Sequence, residues 1–600
     1  MFSNTKQRFC RLAAIAALSL GSLSAHAAFK VTEGLDGTWF KGGAANEAIG
    51  RQGMVIDFLP ANLASGAVGI LAVSVFTYDQ NNQLFWAGAS TEVFENEFAF
   101  NDLVLERSTG PQFFAVGPGG ANTRIGTLSI NFNTCNSADL TIRPDAATGL
   151  PTRTLTGLTP SLAKNAQQCV YQRPFTACPA GTTTVAAQAR TCQLSGQLGG
   201  NINLTNETTW VLSGLVRVGG DNTAPASMRI EAGTRVQGAG ATADYLYVQP
   251  GSQIFVDGTA YAPVVFTSPK DGIRGQRPAP KDWGGLVISG NAPTNCPQRC
   301  ASEFDPTLRF GGSNATESSG TLRYFQVRYS GYVFQANREV NSLTLQGVGS
   351  GTTIDYFQSF RGGDDGVEMF GGTVNLKHVV LNEGGDDGID WDLGWSGKLQ
   401  YALVTFGTGF GEDFGIEAAN SPENFDALPR AIPTLSNLTF IGGSTAGSGS
   451  TRDAIQFKEG SGGRVYNTFA TGFKRACLEI RDSATFGVAG TPAQPSGNLF
   501  LAGTVFSNCP TTAFLSTPSA GQTVPFTSEA LFNAAGFGNR IDNTPNLVGY
   551  LPAVGSVLSG SGFRVNGVAV QIDPFFDVTG YSGAFRDVND DWTRGWTFGF

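Results

Sequence analysis

The chain has 600 residues, among them 79 glycines and 44 phenylalanines, and a formal net charge of -9. An acidic balance argues against nucleic acid as a partner, and the length leaves room for more than one core. Beyond the N-terminal segment no stretch has the length and apolarity of a transmembrane helix.

Lys6, Arg8 and Arg11 precede an apolar run from Leu12 to Leu20, and Ala25-His26-Ala27 offers a small-x-small cleavage site. Residues 1–27 therefore read as a secretory signal peptide, and its apolar part is too short for a membrane anchor. Loss of those three cations takes the formal charge to -12. The mature protein is expected to be secreted, extracellular or attached to the outer cell surface rather than periplasmic. Eight cysteines remain, and with His378 as the one mature histidine they favour disulfides over zinc. Cys169 with Cys178, Cys296 with Cys300, and Cys477 with Cys509 are plausible pairs; Cys135 and Cys192 complete the set, and connectivity stays open.

From residue 28 to 143 short apolar strands alternate with glycine and asparagine turns. "ILAVSVFTYDQNNQLFWAGA" (Ile70 to Ala89) reads as a hairpin, and "RIGTLSINF" (Arg124 to Phe132) as a further strand. A small antiparallel β-sandwich or barrel is the natural solution. Residues 144–204, rich in Thr, Pro, Ala and Gln, read as a disulfide-clasped linker.

Residues 205–510 repeat short strands between Gly, Asn or Pro corners, the pattern of a parallel β-helix, a solenoid whose coils stack their inward side chains. "FRGGDDGVEMFGGTVNLKHVV" aligns with "NEGGDDGIDWDLGWSGKLQYALV", their paired aspartates 22 residues apart, and "GFGEDFGIEAA" is a looser third copy. The fold class is thus all-β, a right-handed parallel β-helix behind a small antiparallel domain. Residues 511–600 read as degenerate terminal rungs and an aromatic cap, with Phe575, Phe576, Tyr581, Phe585, Trp592 and Trp596 packed over the open end.

The repeat stacks acids: Asp364, Asp365 and Glu368 on one rung, Asp386, Asp387, Asp390 and Asp392 on the next, and Glu412, Asp413 and Glu417 on a third. Coils less than 5 Å apart bring such acids together. Three outcomes relieve the repulsion. Aspartates at "GGDDG" corners can accept backbone N–H bonds as Asx turns; the ladder can hold calcium, with Asp364, Asp365, Glu368, Asp386, Asp387, Asp390, Glu412 and Asp413 as candidate ligands; or a carboxylate pair can be catalytic. No cofactor other than calcium is suggested, and no EF-hand or "GGxGxD" series is present. Asp390, Trp391, Asp392 and Trp395 form the candidate ligand-binding set, with Trp391, Leu393 and Trp395 on one face of an extended strand and the acids on the other. Lys377, Lys398, Arg361 and Arg475 are the nearby cations, and His378 reads as a structural residue in "NLKHVV".

"GSQIFVDGTAYAPVVFTSP", "DWGGLVISGNAP", the two "GGDDG" repeats and the closing "PFFDVTGYSGAFRD...WTRGWTFGF" resemble an exported Gram-negative β-helix family. That resemblance covers roughly residues 205–600; the leading "DGTWF" and "TYDQNNQLFW" are similar to small exported modules with a GxW start. It implies a right-handed parallel β-helix at the cell surface and hands over no catalytic set. The expected role is a non-enzymatic surface or adhesion protein that self-associates or meets a cell-surface polysaccharide. The alternative is a polysaccharide-active hydrolase or lyase, or a carbohydrate-binding protein, working near residues 360–420.

Overall fold

A computed structural model describes residues 31–599, except 32–34, 42–52, 62, 64, 80, 82, 96, 110–120, 135, 161–174, 187–189, 241–242, 336–337, 408–412, 444–452 and 511. The expected signal peptide, Cys135, Cys169 and Glu412 lie outside the described residues.

The leading domain is a closed antiparallel barrel of eight strands, from Gly37–Phe40 to Arg153–Pro160, in sequential order. It closes because Gly37–Phe40 pairs with both Gly53–Pro60 and Arg153–Pro160. Strict alternation decides its inside: in Gly69–Tyr78, Leu71, Val73 and Val75 are buried with Trp39, Met54, Ile56 and Leu128. The final strand falls within the segment assigned from sequence to the linker.

The right-handed parallel β-helix follows, with parallel pairing from Thr191–Leu198 onward. Its rungs vary in length: Val367, Ile389, Ile416 and Ile455 are in register, at separations of 22, 27 and 39 residues. Every rung presents three faces. On many rungs one long strand serves two of them, bending at a residue with positive φ: Tyr324 (48°), Tyr356 (56°), His378 (49°) and Tyr401 (63°). Such a backbone is unfavourable for bulky side chains, and stacking compensates. Ring centroids lie 4.1 Å apart for Tyr324–Tyr356, 4.3 Å for Tyr356–His378 and 5.1 Å for His378–Tyr401. His378 also bonds Asp355 at 2.8 Å, as its structural reading expects.

Three disulfides join described residues. Cys296–Cys300 and Cys477–Cys509 form as expected, but Cys178 pairs with Cys192 rather than Cys169. The partner is Cys192 because Thr183–Thr184 folds back antiparallel on Thr191–Leu198.

The C-terminal rings are not stacked over the last rung, which corrects the expected cap. Leu531 and Phe532 of the short helix Ser528–Phe532 fill that end of the core instead. From Gly583 the chain runs back along the outside of the solenoid. Ala584 N donates to Thr439, Phe585 and Trp596 cover Val380 and Leu403, and Trp592 stands edge-on to His378. Phe598 reaches Gln358 at 2.8 Å and lies under Arg328, 3.6 Å from ring centroid to guanidinium. Lys377 and Lys398 hold the segment that leads into this strap, binding Asp577 and Asp573. The strap wins over an end cap because the outward residues Val380 and Leu403 are apolar and need cover.

The barrel docks on the solenoid through Phe94, Glu95 and Glu97. Glu95 N donates to Gly272 O at 3.0 Å, and Arg274 bonds Glu97 at 3.0 Å while lying over Phe94. No helix among the described residues is long and apolar enough to cross a membrane.

Candidate cation site on the acidic face

The third face is a continuous parallel sheet whose middle strands are Leu343–Gln346, Val367–Phe370, Ile389–Asp392, Phe414–Ala418, Asp453–Phe457 and Ala476–Arg481. Its inward column holds Leu345, Met369, Trp391, Ala418, Phe457 and Ile480 in register. Ala418 leaves the space in which Trp391 and Phe457 approach to 6.2 Å. Trp391 bonds Ser461 and Trp395 bonds Val374 O, both rings 0% exposed. They are core residues, which overturns their place in the expected ligand set. The strand ends at Asp392, and Leu393 adopts φ 49° and packs outward with Phe310 and Phe370, so the three apolar side chains do not share a face.

The corners before these strands rest on close backbone approach. A Cβ on Gly385 would fall 2.5 Å from the Gly363 carbonyl. The second aspartate of each "GGDDG" then acts as a clamp between rungs. Asp365 accepts from Asp387 N at 2.9 Å, and Asp387 accepts from Phe414 N at 2.7 Å. Asp364 is half-buried, Asp386 exposed and Asp413 half-buried. Asp413 N bonds Asp386 O, so the third copy sits one residue off the expected alignment and Phe414 stands where an aspartate was anticipated.

Outside the strands, Thr344, Glu368, Asp390, Glu417, Gln456 and Glu479 form one vertical column. Among the described residues, three acidic groups have ligand oxygens within 4.8 Å of one another: Asp364, Asp365 and Asp386; Asp365, Glu368 and Asp390; and Asp387, Asp390 and Glu417. Asp390 belongs to two of them. Burial, followed by the neighbouring carboxylates, pushes Asp365, Glu368, Asp387 and Asp390 well above the usual carboxylate range. Asp392, also held up by burial, is raised to about 6. Lys458 bonds Glu417 at 2.6 Å; burial opposes its charge, but Glu417 and Asp390 hold it above the usual lysine range. It is a fixed cation, not a base.

Among the described residues, four oxygens on this face are buried without a hydrogen-bond partner: Asn341 Oδ1, Thr344 Oγ1, Asp390 Oδ1 and Gln456 Oε1. The amide nitrogens beside two of them are committed, Asn341 to Glu368 and Gln456 to Glu479. Buried acceptors normally find donors, and carboxylate and carbonyl oxygens are what a hard divalent cation takes. The residues present therefore fit such an ion. They fit a hydrolytic pair less well. Glycoside hydrolysis needs open carboxylates about 5 to 9.5 Å apart, whereas Asp365, Glu368 and Asp387 are 7%, 7% and 5% exposed, and Asp390 and Glu417, the half-buried members of those clusters, share one tight group within 4.8 Å.

Beside the column, Phe425, Lys458, Glu459, Arg481, Asp482 and Thr517 line a pocket of about 380 Å³. Arg475 is tied to Asp453 and Glu479, and Arg361 to Glu383, so neither is the cation that completes the acidic clusters.

A family model described as a pectate-lyase like beta helix domain matches residues 196–597. The chain belongs to the pectate-lyase-like β-helix family. The match takes in nearly all of the solenoid and most of the strap and leaves the barrel outside. No curated protein matches the chain significantly. Among solved structures, the Dettilon tailspike protein (gp208) is similar at 10% identity, over 55% of this chain and 62% of that one, with a TM-score of 0.19. The chain thus spans less than two thirds of that protein. In this pectate-lyase-like chain, sequence reasoning found the acids but missed Asn341, Thr344, Gln456 and Lys458. Extending the strand register across rungs of unequal length is the signal that reaches them.

Proposed function

We propose that the protein is an exported calcium-dependent binder of acidic polysaccharide, working through the column Glu368, Asp390 and Glu417. The observation that carries this reading is Asp390 Oδ1, buried without a donor between two further carboxylates. Glu368, Asp390 and Glu417 would hold the ion, with Asn341, Thr344 and Gln456 oxygens nearby. Bound there, calcium would supply positive charge that a glycan carboxylate can share. Arg481 in the adjoining pocket offers a second anchor for such a group. The signal-like N-terminus and the disulfides support export, and the pectate-lyase-like family supports a polysaccharide ligand.

An adhesive, self-associating role has less behind it, because the strap already covers one wall of the solenoid that lateral assembly would use. Turnover by a lyase or hydrolase has one residue in its favour. Asp392, raised to about 6 by burial, is a carboxyl suited to proton transfer near neutral pH.

The test is thermal melting of the purified chain in chelator and in a calcium series, followed by calcium-dependent retention on polygalacturonate. A melting temperature that rises with calcium, with retention lost in chelator, supports the reading. Unchanged melting overturns the cation site, and calcium-stabilised protein that ignores polygalacturonate overturns the acidic ligand. Accumulation of unsaturated product, abolished in Asp392→Asn, would establish cleavage.

A further inference from the structure

The barrel carries exposed aromatic rings where a strand's outer face should be polar. Phe40, Phe76 and Trp86 are 39%, 42% and 48% exposed. They come from three strands but fall in one row. Gly53 pairs with Phe76, and Phe76 with Trp86. Phe40, one residue past the Trp39–Met54 pair, falls beside Gly53, with Thr159 on its other side. The glycine leaves a gap in the row, and the Trp86 indole extends over Gly88, whose Cβ position is 4.0 Å from the ring.

We infer that this row is a binding platform for a neutral, extended β-linked glycan. Strand spacing sets the rings about 5 Å apart for Phe76 and Trp86 and about 10 Å for Phe40 and Phe76, steps comparable with one and two sugars of an extended chain. The C–H bonds on a pyranose face carry partial positive charge and pack on the negative face of an aromatic ring. Along the row the neighbours Thr159, Gly53, Ser74 and Gly88 are uncharged, and the one charge at its edge, Glu106 paired with Gly88, would repel an acidic chain and accept hydrogen bonds from the hydroxyls of a neutral one. A second protein is a poor fit. The exposed ring area is roughly 300 Å² from typical aromatic surfaces, against about 800 Å² per partner in a stable protein interface. The row also lies toward the far end of its strands from the turns at Gly66 and Glu95 that meet the solenoid, so a bound glycan would not collide with that junction.

The platform does not depend on the acidic face, and the experiment keeps the two apart. The intact chain, in chelator, is passed over insoluble cellulose, xylan and mannan. Retention on at least one is expected, falling about tenfold in Trp86→Ala, the scale of one lost stacking contact. Trp86→Tyr should recover most of it, which excludes misfolding as the cause. Asp390→Asn should bind these glycans as the parent does. No retention on any of the three, or retention indifferent to Trp86→Ala, overturns the platform. A Trp86→Ala change that instead converts an oligomer to a monomer by light scattering also overturns it, in favour of a second copy as occupant.

Discussion

Asp387 donates its backbone N–H to the carboxylate of Asp365 at 2.9 Å while its own carboxylate receives Phe414 N at 2.7 Å. A charged acceptor of a backbone N–H contributes about 1.5–3 kcal/mol, yet the same acid is buried among other acids. Two substitutions separate these opposing effects. Asp387→Ala deletes the acceptor and should lower the melting temperature, whereas Asp387→Asn keeps an oxygen and removes the charge, and should melt at or above the parent in chelator. Identical melting of both variants would remove the clamp from the account of the corner.

Along the neighbouring column the partners differ in sign. Asp390→Asn should stabilise the chelated protein and abolish its response to calcium. Glu417→Gln should also abolish the response but destabilise the chelated protein, since half-buried Lys458 would lose its bonded carboxylate and keep only the weaker attraction of Asp390. Differential scanning fluorimetry with and without calcium reads both; a Glu417→Gln variant that keeps the full calcium response would exclude that residue from the site.

The raised carboxyls fix the sign of a pH dependence. Between the unfolded carboxylate range near 4 and the higher folded values, the native state binds more protons than the unfolded one. Stability therefore falls as pH rises through that window. Burial and mutual repulsion hold up Asp365, Glu368, Asp387 and Asp390, and Asp392 sits at about 6, with Lys458 the facing cation. In chelator the melting temperature should decline from pH 5 toward pH 8, and saturating calcium should flatten the decline. Stability that climbs over this interval without calcium would contradict the buried acid stack.

The strap makes a separate prediction. Trp596 is 2% exposed and stands edge-on to Tyr324 and Tyr356, so Trp596→Ala should cost about 3–5 kcal/mol. Deleting residues 583–600 should bare Val380 and Leu403 and open new sites to limited proteolysis. A truncated chain with the parent's melting temperature and cleavage pattern would show the strap to be dispensable.

The fold was legible because "GGDDGVEMF" and "GGDDGIDWDLGW" keep one spacing, and because the barrel's strands alternate cleanly. The site was only half legible. Period-2 reasoning correctly set Asp390 opposite Trp391, but nothing local says that the indole side faces the core. The neighbours of Asp390 arrive from rungs of 22, 27 and 39 residues, so Gln456 and Lys458 could not be placed by a fixed repeat. The longer third rung also misled the alignment of "GEDFG", where Phe414 takes the aspartate's position. The C-terminal rings were recognised as structural, but an apolar outward column such as Val380 and Leu403 becomes visible only when rungs are stacked.

Val31 and Phe598 line the same pocket at the junction of barrel and solenoid. The two ends of the described chain, separated by almost its whole length, therefore share one small piece of surface. An open solenoid can peel from either terminus one rung at a time. This one lays residues 583–599 away from the last rung and against Arg328 and Gln358, so fraying at the C-terminal end must first release a segment anchored several rungs away. A chain cut short anywhere before Gly583 would lack that tie, and its last rung would be free to peel.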